Sequence, residues 1–190
     1  MTAHSRDDRR TTALALAAGA GDRAAAEEFV RATERDVWGF VAYLTDVRQA
    51  DDLAQETYLR ALSGLSGFAG RASARTWLLT IARRVVVDHI RAAGRRPRLA
   101  AADWTEAADA RDARRYAGAA GFEDVVELNE LLRGLDDDRR QALVLTQVLG
   151  LDYAEAAAVC GCPVGTIRSR VARARTELLD ATAADRTDIG

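Results

Sequence analysis

Proline occurs only twice in the 190 residues, at Pro97 and Pro163. β-branched residues are sparse, and no stretch alternates cleanly between apolar and polar. Such a chain has few places to break a helix and little from which to build strands, which predicts an all-α fold. Helices are expected at 12–32, 34–46, about 49–65, 123–134, 137–149, 153–160 and 164–180, with a further long helix after Ser73, whose hydroxyl is placed to cap it. The spacing supports these assignments. Ala50, Leu53, Ala54, Tyr58, Ala61, Leu62 and Leu65 share one helical face, and Trp77, Leu78, Ile81, Ala82, Val85, Val86 and Ile90 share another. Between these two helices lies the glycine-rich loop Gly67-Phe68-Ala69-Gly70.

From Ala92 to Gly121 the periodicity disappears and the composition turns to Ala, Gly, Arg and Asp. A compact domain rarely carries a structureless loop of that length, so the segment reads as an interdomain linker. The expected organisation is two small helical domains joined by a flexible linker. In order these are a tail at 1–11, a domain at 12–91, the linker at 92–121, a second domain at 122–182 and a tail at 183–190. Trp104 and Tyr116 are unusual in a solvated linker and suggest docking on something.

The chain is 48% hydrophobic and 29% charged, enough to bury a core and stay in solution. No apolar run is long enough to span a bilayer, and Met1–Thr12 is polar, without a signal-peptide core. A cytoplasmic protein with no membrane insertion is expected. A net charge of -2 argues against a general nucleic-acid binder, yet its distribution is uneven. Between Asp22 and Glu56 acids outnumber arginines. Between Arg71 and Arg98 eight arginines face one acid, Asp88, and between Pro163 and Leu179 four face Glu177. Cys160 and Cys162 are too close for an ordinary disulfide and too few for a zinc site, so they read as packing residues. The histidines are His4, in a tail, and His89, in a basic helix. No paired carboxylate cluster, phosphate loop or nucleophile motif stands out, so no enzyme activity, cofactor or metal is expected.

The segment Leu151–Arg175 is the most informative. Asp152 and Glu155 have the spacing of a capping box, and Ala156 and Ala157 are small enough for a second helix to cross closely. Gly161 suits the left-handed end of one helix, and Pro163 is tolerated at the start of the next. Ile167, Val171, Ala174 and Leu178 then form a buried stripe, leaving Arg168, Ser169, Ala172, Arg173 and Arg175 on other faces. A DNA-reading helix needs that division, with apolar residues to seat it and arginines to reach base edges and phosphates. The plain alternative is a helical hairpin with a solvated arginine face.

Three blocks together make the chain resemble an extracytoplasmic-function (ECF) sigma factor, the two-domain class of the sigma-70 family. They are Asp51–Leu62, Ser73–Arg84 with Asp88–Arg91, and Cys162–Arg175. The arginine-only, alanine-rich composition fits a GC-rich genome and an actinobacterial source. The resemblance implies a specificity subunit that directs core RNA polymerase to promoters by −35 and −10 recognition and promotes melting. In the first block it implies that Asp51, Asp52, Gln55, Glu56 and Arg60 dock on core polymerase, at the β′ clamp helices, with the β subunit also in contact. In the second it implies −10 recognition and single-strand capture by Phe68, Gly70, Arg71, Arg75, Arg83, Arg84 and Arg91. In the third it implies −35 contacts by Thr166, Arg168, Ser169, Ala172 and Arg173, with Arg170 and Arg175 assigned to phosphates. Trp77 reads as core rather than a base platform, and His89 as structural. Ala172 departs from several relatives, which carry a larger residue there. Partners implied are core polymerase, promoter duplex, the −10 non-template strand and, as is common in the family, an anti-sigma factor. Two rivals stand beside this reading. A dimeric operator-binding regulator explains the third block but not the first two, and a helical adaptor explains neither basic stretch.

Overall fold

A computed structural model describes residues 3–95 and 122–187. No strand occurs among the described residues. The N-terminal unit comprises α1 (Ala3–Gly19), α2 (Arg23–Leu44), α3 (Val47–Gly64), a 3-10 turn at Leu65–Gly67 and α4 (Ala74–Arg95). The C-terminal unit comprises α5 (Phe122–Arg133), α6 (Asp137–Leu143), a π-helical turn at Val144–Val148, α7 (Tyr153–Cys160) and α8 (Val164–Thr187).

The helix starts follow local chemistry. The side chain of Asp22 accepts from the Ala25 amide, Asp46 from Arg48, Asp136 from Asp138 and Asp152 from Glu155. These caps correct the sequence reading at the N-terminal end. The predicted helix 12–32 is two helices, because Gly19–Asp22 breaks the chain and Asp22 starts a new one. The predicted break near residue 33 is absent, and α2 runs on to Leu44. Positions 3–11, expected in a tail, are helical and belong to α1. At the other boundaries, α4 continues to Arg95 and α8 to Thr187. The rest of the expected linker, with Trp104 and Tyr116, and residues 188–190 lie outside the described residues.

Phe29, Val37, Phe40 and Val41 from α2 meet Leu53 from α3 and Leu78, Leu79 and Val86 from α4 in the first core. Leu132, Leu143, Val144, Leu145, Val159, Ile167 and Val171 fill the second. Each such side chain, fully buried, is worth roughly 1.5–3 kcal/mol of transfer free energy. The two cores join into one contiguous cluster, with α4 packed along α7 and α2 along α5. The predicted stripes are slightly too wide. Leu62 and Ile90 lie at their edges and are 42% and 37% exposed. Trp77 is half-buried, its ring 5.0 Å from that of Phe68 and tilted by 42°.

Candidate nucleic-acid interface

The turn between α7 and α8 forms as the sequence predicts. Asp152 and Glu155 make both halves of a capping box at the start of α7. Gly161 takes φ 65° and ψ 38°, a left-handed geometry that costs glycine nothing, and the Cys162 amide closes onto the Ala157 carbonyl at 3.1 Å. Ile167, Val171 and Ala174 are buried and seat α8, with Leu178 half-buried below them. Arg168, Ser169, Ala172 and Arg173 share the opposite, exposed face. Among the described residues Arg168 and Arg173 hold no ion pair. The Ser169 hydroxyl donates to the carbonyl of half-buried Thr166 at 2.9 Å. Arg170 behaves differently. One of its NH groups binds Asp138 of α6 and the other lies 3.6 Å from Cys162 Sγ, so it braces α8 against α6. Arg175 donates to the Gln147 side chain. Cys160 is buried, and burial pushes its thiol from 9.0 up to about 11; Cys162 is half-buried, and both are free thiols. Both sit where packing residues belong.

The second basic surface is built by α4 and the loop before it. The Ser73 hydroxyl accepts from the Thr76 amide at 3.1 Å, the predicted cap. Gly70, Arg71 and Arg84 are exposed, as is Arg91, while Phe68 is half-buried against Trp77. Arg75 and Arg83 are occupied by the protein itself. Arg75 is only 9% exposed. Its Nε binds Asp36 Oδ2 at 2.5 Å and its NH2 donates to the Leu149 carbonyl at 2.7 Å. Arg83 Nε donates to Gln141 Oε1 at 2.7 Å. Both therefore reach from α4 into the C-terminal unit.

A buried polar relay crosses the same junction. Arg140 donates to Asn129 Oδ1 at 3.2 Å, and Asn129 Nδ2 donates to the Ala42 carbonyl at 2.9 Å. Burial lowers the Arg140 pKa, against the pull of Asp137, and Arg140 Nε is buried without a hydrogen-bond partner. A desolvated, incompletely bonded guanidinium raises the cost of this packing. Nothing in the residue pattern singles out Asn129, Gln141 or the Leu149 carbonyl as partners. A polar residue on an amphipathic helix looks the same whether it meets water or another helix.

The outer face of α3 splits the five residues assigned to it. Asp51 accepts the indole NH of Trp38 at 2.7 Å and so anchors α3 to α2. Asp52 and Gln55 are exposed. Glu56 binds Arg60 at 2.7 Å, and Arg60 reaches Asp88 of α4 at 3.1 Å. Those two hydrogen bonds, Glu56 first, raise the Arg60 pKa. Leu59 and Leu62, 59% and 42% exposed, stand on the same face, four and seven positions after Gln55. That spacing is the signal by which they could have been found.

The family described as Sigma-70 region 2 matches residues 29–96, and that described as Sigma-70, region 4 matches residues 126–178. A probable RNA polymerase sigma-C factor of Mycobacterium bovis and the ECF RNA polymerase sigma factor SigC of Mycobacterium tuberculosis are each 58% identical over 179 residues, covering 94% of this chain and 95% of theirs. The RNA polymerase sigma-H factor of Pseudomonas aeruginosa is 32% identical, covering 82% and 84%. Two solved structures share the fold. CnrH in complex with the cytosolic domain of CnrY has a TM-score of 0.71 at 25% identity, over 93% of this chain and 99% of that one. The sigma factor RpoE in complex with the anti-sigma factor NepR from Bartonella quintana has a TM-score of 0.66 at 27% identity, over 84% and 97%.

Proposed function

The chain belongs to the ECF sigma factors of the sigma-70 family, with actinobacterial relatives, and from that premise we propose which of its surfaces do the work of promoter recognition. Factors of this family direct core RNA polymerase to promoters and support initiation. The exposed face Arg168, Ser169, Ala172 and Arg173 reads the −35 element in the major groove. Arginines there suit guanine edges, and the Ala172 methyl suits a thymine methyl. Arg175 lies beside this face and suits a phosphate. Arg170, held by Asp138, orients the helix instead.

Loop 67–73 and α4 take the −10 element. Melting requires unstacking at a cost of about a few kcal/mol per flipped base. Contacts from Phe68 and the exposed cations Arg71, Arg84 and Arg91 to the single strand offset it. Arg75 and Arg83 cannot touch DNA while they hold the Leu149 carbonyl and Gln141, so their part begins only when the two units separate. The α3 face of Asp52, Gln55, Glu56, Leu59, Arg60 and Leu62 docks on core polymerase, its acidic and amide groups suiting a basic partner and its leucines adding apolar area. Asp51 supports that face from behind. Binding through polymerase and two DNA elements multiplies modest affinities, which agrees with a free chain of net charge -2.

The chain itself performs no covalent chemistry in this account, and it works in the cytoplasm beside polymerase. No described helix is long and apolar enough to cross a membrane. An anti-sigma protein is a candidate partner, because one structural neighbour is held by one. The observation that carries the reading is the occurrence of two basic helical surfaces, α4 with its loop and α8, in halves that match region 2 and region 4. Run-off transcription with core polymerase, with and without the chain, on pooled genomic fragments tests it. Discrete new transcripts sharing a −35/−10 pair are expected. Tight polymerase-independent DNA binding without transcripts would favour an operator-binding regulator.

A further inference from the structure

α1 lies wholly before the residues matched as region 2, which begin at 29. Its positions 12, 16 and 19 nevertheless meet the −10 loop and the two elements that flank it at three successive points. At the loop's entry, Gly19 comes so close to the 3-10 turn that a Cβ on it would sit 2.5 Å from the Leu65 carbonyl oxygen. In the middle, Leu16 covers Gly70, whose φ of +65° turns its bare Cα toward α1; a Cβ there would lie 3.5 Å from the leucine methyl. At the exit, Thr12 Oγ1 accepts the Ala74 amide, the first NH of α4, at 3.0 Å. The same hydroxyl donates to the Asp8 carbonyl at 2.7 Å, so its proton is committed and a lone pair is left for Ala74. Together with the Ser73 cap on the Thr76 amide, this satisfies two of the NH groups that a helix start leaves orphaned. Positions separated by four and three share one helical face, so a single helix touches the loop at Gly70 and both elements that flank it, at Leu65 and Ala74. Asp8, Arg9 and Thr12 also line a cleft of about 610 Å³ with Gly70–Ser73 and, from the C-terminal unit, Gly150, Asp152 and Glu155.

The geometry points to α1 as the positioning element of the −10 loop, with Thr12, Leu16 and Gly19 fixing the loop's conformation and Thr12 setting where α4 begins. This deepens the assignment of that loop to the −10 element and rests on it. A loop that must accept one extruded base and reject others gains selectivity from being held in one shape before DNA arrives. The sequence offers no hint of this, since residues 12–32 read as one amphipathic helix and nothing in their spacing pairs them with a loop about fifty residues later.

The test uses the full chain with Thr12→Val, which keeps the shape and removes the hydroxyl, and Thr12→Ser, which restores it. Hydrogen exchange on the free protein reads the clamp. In Thr12→Val the Ala74 amide and the amides of 67–73 should exchange about five-fold faster, the worth of a lost cap, while the core of α8 is unchanged. Transcription from templates with varied −10 and fixed −35 sequences reads the function. Discrimination among −10 variants should fall by a similar factor, discrimination at −35 should hold, and Thr12→Ser should recover both readouts. Unchanged loop exchange, or a uniform rise across the whole chain, overturns the clamp. Faster loop exchange with intact −10 discrimination overturns the specificity role. A wild-type chain that directs no transcription defeats the −10 assignment itself, and the exchange experiment then still decides whether α1 holds the loop.

Discussion

α8 and α4 carry the same kind of side chain in opposite circumstances. On α8 the arginines at 168 and 173 project from an exposed face with no ion pair among the described residues, while the apolar stripe beneath them is fully seated. On α4 the arginines at 75 and 83 are spent inside the protein, on Asp36, Leu149 and Gln141. The surface proposed for −35 is thus exposed as folded, whereas part of the surface proposed for −10 is engaged within the protein. Arginine at helical spacing marks a basic helix in both cases. Whether that helix is available depends on what the rest of the chain packs against it.

That contrast can be broken or sharpened by substitution. Arg75→Ala should have the largest effect on stability, about 2–3 kcal/mol in denaturant melts, since it removes a nearly buried guanidinium that binds both Asp36 and the Leu149 carbonyl. A loss below about 0.5 kcal/mol would mean that Arg75 is not held as tightly as its two bonds imply. Arg173→Ala should show the reverse pattern. It is expected to cost on the order of 1–3 kcal/mol in −35 discrimination and to leave the melting curve unmoved. Unaltered −35 preference in that variant defeats the assignment of the exposed face. Gln141→Ala removes one neutral partner of Arg83 and should destabilise by about 1 kcal/mol, with a matching rise in hydrogen exchange along α4 and α6. The smallest contrast is between the two thiols. With Cys160 raised to about 11, an alkylating reagent at pH 8 should label Cys162 and spare Cys160 until the chain is unfolded. The sign follows from burial. The unfolded thiol ionises near 9.0 and the folded one later, so the Cys160 contribution to stability is intact below pH 9 and lost as pH rises toward 11. Equal labelling of both thiols in the folded protein would contradict the burial of Cys160.

Much of the C-terminal site is legible in the residue pattern alone. The capping box of Asp152 and Glu155, the glycine turn at 161 and the stripe Ile167–Val171–Ala174 rest on contacts within about four residues, and each forms as its spacing predicts. The N-terminal end is less legible. Residues 12–32 are apolar enough to suggest one helix, and the left-handed Gly21 with the cap from Asp22 divides them. The candidate surfaces are visible in outline and misjudged in detail. Asp51 has the spacing of an outward carboxylate, but Trp38, thirteen residues earlier, turns toward it and claims it.

What the sequence determined by itself was therefore periodic or local: the all-helical class, the two patterned halves, the turn before α8 and the resemblance those blocks carry. Tertiary structure alone decided which arginines are free, because Arg75 finds its carbonyl at residue 149 and Arg83 its amide at residue 141. It also decided that α1 reaches the loop at 65, 70 and 74. Helical periodicity records which face of a helix avoids water. It does not record which distant group meets that face, and a hydrogen bond between residues more than fifty apart leaves no repeat in the chain to be read.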